Sequence, residues 1–293
     1  MIEHAARAQV LSKVPAVTLG FWIIKIRADP GPAATGGQTS GAKRKDCMMA
    51  VSKLRRFWIG AVAAMAASTA FAGPPYQTDD PTIEPTGHWQ FRPFVTGDEL
   101  DHSWSGQAGV DVNYGIAPDL QFTGTVPVDF ARAEGSGWRS GIGGVSLGFK
   151  YRLLNDPGNA FQATIHPQVT LPTSTNGMES KHARILLPLL MQKDFGKTSV
   201  FGGGGYEINP GSGNRDFWVA GLVVTHAFTN STTAGIEAFH QTPSTVGGFS
   251  KTAIDLGLSQ KVGGPYSLLL GAGPTFSGGQ TGYHSYLALQ IDL

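Results

Sequence analysis

Between residues 140 and 171 the sequence alternates apolar and polar side chains through two long arms joined by the turn Asn155-Asp156-Pro157-Gly158-Asn159. In the second arm Phe161, Ala163, Ile165, Pro167, Val169 and Leu171 share one face, and Gln162, Thr164, His166, Gln168 and Thr170 share the other. The first arm sets Val145, Leu147, Phe149, Tyr151 and Leu153 against Ser146, Gly148, Lys150 and Arg152. An extended chain turns successive side chains to opposite sides, so each arm has an apolar face and a wet face. Both arms exceed the usual globular strand of about 5–6 residues. Strands of about ten residues with this two-residue period are what a membrane-spanning β-barrel requires.

The pattern recurs. Strands are expected over roughly 87–96, 105–116, 119–130, 140–153, 160–171, 183–194, 198–207, 215–227, 232–241, 250–261, 266–275 and 282–293, twelve in all. Short connections at 117–119, 155–159, 195–197, 229–231 and 263–265 alternate with longer ones at 97–103, 131–137, 173–181, 209–214, 242–249 and 277–281. Short turns on one side and longer loops on the other, with an even strand count, are the arrangement of a bacterial outer-membrane barrel whose termini are both periplasmic. Trp104, Phe130, Trp138, Phe217, Trp218, Phe249 and Tyr283 fall toward the outer ends of strands, and Tyr114, Tyr151, Phe161, Phe228 and Tyr266 toward the inner ends, as interfacial girdles do. Two stretches break the pattern: 184–190 is apolar on both faces, and 202–205 is four glycines that would mark a bend or a filled lumen.

A secreted β-sandwich also alternates apolar and polar residues, but its wet face normally carries many Lys and Glu. Here only 15% of residues are charged and 40 are Gly, and the wet faces are built from Gly, Ser, Thr and Gln. The fold class expected is all-β: an antiparallel transmembrane β-barrel of about 12 strands spanning 87–293, preceded by a cleaved signal peptide.

From Met49 the features follow the order of a secretory signal over 49–72. Lys53, Arg55 and Arg56 form a basic leader, 57–67 an apolar core, and Ala70 and Ala72 the small residues before a cleavage site. The apolar run is too short for the ~20 residues of a membrane-spanning helix. Residues 1–48, whose apolar patch is broken by Lys13 and Pro15, read as a misplaced translation start or a disordered extension. After cleavage 12 Lys and Arg remain against 18 Asp and Glu, a net charge of −6, which excludes a basic footprint for nucleic acid. The single cysteine, Cys47, precedes the signal, so no thiol crosses an oxidising periplasm.

Residues 73–86 form an extended periplasmic arm, kept from regular structure by its prolines. The run Gly73-Pro74-Pro75-Tyr76-Gln77-Thr78-Asp79-Asp80-Pro81, then Gly87-His88-Trp89-Gln90-Phe91, resembles the opening of the outer-membrane transporters grouped with the meta-pathway phenol-degradation protein. In that family a G-P-P-x-x-T-D-D-P-type segment follows the signal peptide directly. The turn Asn113-Tyr114-Gly115-Ile116-Ala117-Pro118-Asp119-Leu120 is similar too. The resemblance implies a barrel in a Gram-negative outer membrane that passes small solutes, among them aromatic or hydrophobic compounds. The C-terminal strand is similar to the signal read by the barrel-assembly machinery, although it ends in Leu293 where such signals usually end in Phe.

Asp111, Lys150, Arg152, His166, Arg184, Glu237, Asp255 and Lys261 are the candidate pore-lining or solute-binding residues, being single charges on inward faces. The alternative is that they pair with one another and plug a structural or adhesive barrel. An outer-membrane lipid hydrolase would need a base such as His226 or His240 with Ser231 or Thr242, but their spacing makes no nucleophile-base pair. Asp98, Glu99, Asp101 and His102 make an acidic loop that could meet a divalent cation. The expectation is a non-enzymatic protein with no cofactor and no metal, whose partners are outer-membrane lipids, a small solute and, during biogenesis, the assembly machinery.

Overall fold

A computed structural model describes residues 75–175, 177 and 181–293. The expected signal peptide and the residues before it, and Gly73 and Pro74 of the arm, lie outside the described residues.

Fourteen strand segments follow the arm: β1 (Trp89–Leu100), β2 (Ser103–Ala117), β3 (Leu120–Arg132), β4 (Arg139–Ile142), β5 (Ser146–Asp156), β6 (Phe161–Ile165) and β7 (Gln168–Thr170). Then come β8 (Arg184–Phe195), β9 (Thr198–Ile208), β10 (Phe217–Ala227), β11 (Thr232–Gln241), β12 (Lys251–Gly263), β13 (Tyr266–Ser277) and β14 (Gln280–Asp292). No helix occurs among the described residues. Every pairing between these strand segments is antiparallel, and β1 pairs with β14 from Gln90↔Asp292 to Glu99↔Tyr283, closing the sheet. Segments β4 and β5 both pair with β3, and β6 and β7 both pair with β5 and β8, so each couple is one interrupted strand. The result is a closed twelve-stranded barrel. Closure leaves no unpaired edge, and backbone groups are satisfied between strands, which is the condition for a sheet in lipid.

The two interruptions were not visible in the sequence pattern. At 166–167 the cause is Pro167, which has no N–H for the ladder; its carbonyl still accepts from Phe149 N at 3.2 Å. At 143–145 the loop after β7 replaces the missing strand partner. Thr173 Oγ1 accepts from Val145 N and donates to the Gly143 carbonyl, and Thr175 Oγ1 accepts from Ile142 N. Two loops expected to be longer are tight turns instead. Asp101 and His102, with φ of 51° and 58°, turn β1 into β2, and Gly278 and Gly279, at 60° and 83°, turn β13 into β14. Left-handed φ at both central residues matches the twist of the flanking strands.

Outward positions carry the large apolar side chains: Val126, Leu187, Leu222 and Leu256 are each half or more exposed. Trp104, Trp138, Trp218, Phe249 and Tyr283 are exposed near the long-loop end, and Tyr151, Phe228 and Tyr266 near the short-turn end. Inward positions are mostly polar, with a small apolar core of Leu190, Phe201, Val223 and Leu269 on the inner wall. The stretch with two apolar faces, Arg184 to Leu190, has a simple reason. Inward Leu186, Pro188 and Leu190 lie opposite Glu207, Gly205 and Gly203 of β9, and the missing side chains of the glycines leave the room they fill.

Candidate functional site

The arm from Pro75 to Thr86 does not hang free of the barrel. It runs across the lumen, and its backbone and side chains meet inward positions of many strands. Glycine makes the room. A Cβ added at Gly271 would collide with the Pro75 carbonyl, at Gly257 with the Tyr76 ring, at Gly221 with Thr78, and at Gly115 with the Pro85 carbonyl. These glycines sit on β13, β12, β10 and β2, so a groove of missing side chains traces the arm's path. Tyr76 packs against Phe201, with ring centroids 6.1 Å apart.

Two clusters hold the arm. On one wall, β5 presents Lys150 and the gap between β6 and β7 presents His166. Lys150 Nζ lies 2.9 Å from Asp79 and donates to the Asp80 carbonyl at 2.8 Å. His166 Nδ1 is 2.9 Å from Asp79 Oδ2, and its Nε2 is 2.9 Å from Thr123 Oγ1. A proton on Nδ1 lets the ring donate to the carboxylate and accept from the hydroxyl. Thr164 Oγ1 donates to the Pro81 carbonyl at 2.7 Å. Partial burial pushes the Asp79 carboxyl up, but the Lys150 ammonium and the hydrogen bond from His166 outweigh it and hold the carboxyl below the usual carboxylate range.

On the other side β11 and β12 place Glu237 directly opposite Asp255. Both are about 1% exposed. Glu237 accepts from the backbone N–H of Gln77 at 2.9 Å and of Thr78 at 2.7 Å, and Asp255 Oδ2 accepts from Gln77 Nε2 at 2.8 Å. Asp255 Oδ1 is buried without a hydrogen-bond partner.

Beside the arm a cavity of about 250 Å³ remains, lined chiefly by polar groups that include Arg92, Asp111, Asn113, Gln121, Lys150 and His166. Thr125 Oγ1 donates to Asp111 at 2.7 Å, and Arg92 lies 4.0 Å from the same carboxylate. Arg92 also donates to Gln90 and Gln290 at 2.6 and 3.3 Å. Where the arm leaves the lumen, Glu84 N donates to Gln121 at 2.6 Å, and Glu84 Oε1 accepts from Gln90 Nε2 at 2.6 Å. Burial, reinforced by Asp292 and Asp80, pushes the Glu84 carboxyl up to about 7, with Arg92 and Lys150 opposing.

Of the eight candidates from the sequence, Asp111, Lys150 and His166 meet around the cavity, and Glu237 and Asp255 meet on the opposite wall. The other three lie elsewhere. Arg152 is 3.6 Å from Asp119 of the short turn after β2, Arg184 is 3.5 Å from Glu207, and Lys261 is exposed near the end of β12. The acidic stretch near Asp98 does not converge: Asp98 points to Lys251 at 2.8 Å and His284 at 3.2 Å, while Glu99 accepts from His102 N. His226 and His240 are outward, bonded to Thr198 and Thr252 at 2.9 Å each. Sequence reasoning missed Gln77, Asp79, Glu84 and Arg92. The signal that could have found the arm's seat was glycine recurring at inward positions of neighbouring strands.

No protein-family model and no curated protein matches the sequence. Among solved structures, an outer membrane channel from Pseudomonas putida F1 is similar with a TM-score of 0.61 at 14% identity, covering 73% of this chain and 98% of that one. KdgM porin gives 0.48 at 11% identity over 68% and 98% of the two chains, and the CymD monoaromatic hydrocarbon channel 0.45 at 9% over 71% and 88%. The first likeness is one of fold: both chains are built as closed antiparallel β-barrels.

Proposed function

We propose that the protein is a passive channel for small solutes in a Gram-negative outer membrane, narrowed by its own N-terminal arm. The observation that carries this is the polar cavity of about 250 Å³ left beside the arm inside a closed, outwardly apolar barrel. Polar groups lining a narrow passage set which solutes pass. No nucleotide or ion-coupling motif was found in the sequence, so movement follows the solute gradient. The polar lining favours hydrophilic solutes over the aromatic or hydrophobic compounds that membership of the meta-pathway phenol-degradation family would imply. The outward apolar belt is the surface that outer-membrane lipids would cover, and β14 is where the barrel-assembly machinery would engage.

A second reading, a structural or adhesive barrel, is favoured by one observation: the arm crosses the lumen and is bonded to both walls. Planar-bilayer recording separates the two. Discrete KCl conductance steps support the channel, and a barrel silent in KCl that also excludes small sugars from liposomes is the structural one.

A further inference from the structure

The arm's contacts show what chemistry the lumen recognises. Its carboxylate, on Asp79, sits between Lys150 and His166. Its donors, the N–H groups of Gln77 and Thr78 and the Gln77 amide, sit on Glu237 and Asp255. We infer that the lumen is a binding site for small zwitterions, with the arm occupying it as an internal mimic. This rests on the channel reading and names its substrate class.

The two walls are not equally satisfied. Asp79 already has a cation and a histidine. Glu237 and Asp255 face each other, 1% exposed, and among the described residues neither has a Lys, Arg or His at ion-pair distance. They accept only neutral donors, and one Asp255 oxygen accepts nothing. Hydrogen bonds from a charged donor are roughly twice as strong as those from a neutral one. An ammonium therefore satisfies this wall better than the arm does, while a carboxylate on the same molecule takes over the place of Asp79.

The arm also sets the spacing. Its donors and its carboxylate belong to residues one and two apart, and consecutive Cα atoms are 3.8 Å apart, so the two charges of a matching ligand lie about 4–7 Å from each other. An α-amino acid, with both groups on one carbon, is too short. A short ω-amino acid such as 4-aminobutanoate, or a dipeptide such as diglycine, fits.

The test is calorimetric titration of the purified full-length protein with 4-aminobutanoate and its two single-charge analogues, butanoate and butylamine, alongside KCl conductance of the same preparation. The zwitterion is expected to bind at least about tenfold more tightly than either analogue. A Glu237→Gln/Asp255→Asn double variant should abolish the preference, bringing the zwitterion's affinity down to that of butanoate measured in the same variant. Lys150→Met should weaken both acids together; if that variant does not fold, the double variant decides alone. Equal binding of all three ligands, no binding, or full zwitterion affinity in the double variant, each with KCl current intact, overturns the zwitterion site and leaves the channel. Absence of both binding and current overturns both.

Discussion

The arm is anchored at two places, and they differ in how charge is handled. At Lys150 and His166 a carboxylate of the arm meets a cation, with side chains of Lys150 and His166 each 7% exposed. At Glu237 and Asp255 the wall supplies two carboxylates and the arm answers only with N–H donors. The first anchor is costly to break, because losing Asp79 strands Lys150 away from water and losing Lys150 leaves Asp79 unpaired in a site only partly open to it. The second carries like charges side by side and tolerates, or gains from, neutralisation. A device whose two ends have opposite electrostatic states can be loosened at one end while the other holds.

The most disruptive way to separate them is steric. Gly257→Leu puts a side chain where the Tyr76 ring lies. Hydrogen exchange read by mass spectrometry should show protection lost over residues 75–78 and retained over 79–84. Loss along the whole arm would mean the two anchors act as one.

Lys150→Met removes the cation from Asp79, which keeps 38% of its side chain in solvent, and the donor from the Asp80 carbonyl. Partial exposure screens the loss, so the expected cost to arm docking is about 2–3 kcal/mol. Protection over 79–84 should fall by the corresponding factor. Asp255→Asn, by contrast, removes one of two facing charges and keeps an acceptor for Gln77. Its effect should be within about 1 kcal/mol and of stabilising sign. If both substitutions cost the same, the contrast between the anchors is wrong.

A further contrast is the pH response at Glu84, the arm's exit. Its docked carboxyl titrates near 7, above the ordinary value of 4.5. Below about 4.5 both docked and undocked forms are protonated and docking is strongest. Between 4.5 and 7 the undocked form ionises first, so docking weakens as pH rises, and above 7 it levels off. Exchange protection near Glu84 should therefore be higher at pH 5 than at pH 8, and Glu84→Gln should flatten the difference.

These contrasts also mark what sequence could and could not give. Twelve strands were legible because a half-buried strand has a period of two whatever it packs against. The break at Pro167 was hidden because the flanking residues keep the alternation across it. Lys150, His166, Glu237 and Asp255 were legible as inward charges, but their partners were not. Asp79 and Gln77 lie 71 and 178 positions from the Lys150 and Asp255 groups they bind, and no local pattern reports such a contact. The arm's prolines announced irregular structure and gave no hint that it lies inside. Glycines at 221, 257 and 271 carried that information, but each alone reads only as a weak spot in a strand.

The central claim is that the lumen conducts and that the arm narrows it. Single-channel recording in planar bilayers, comparing the native chain with a Gly257→Leu/Lys150→Met variant, tests it most directly. Small KCl steps in the native protein, growing severalfold when both anchors are released, are the expected result. Silence in both proteins, or steps of equal size, would contradict it.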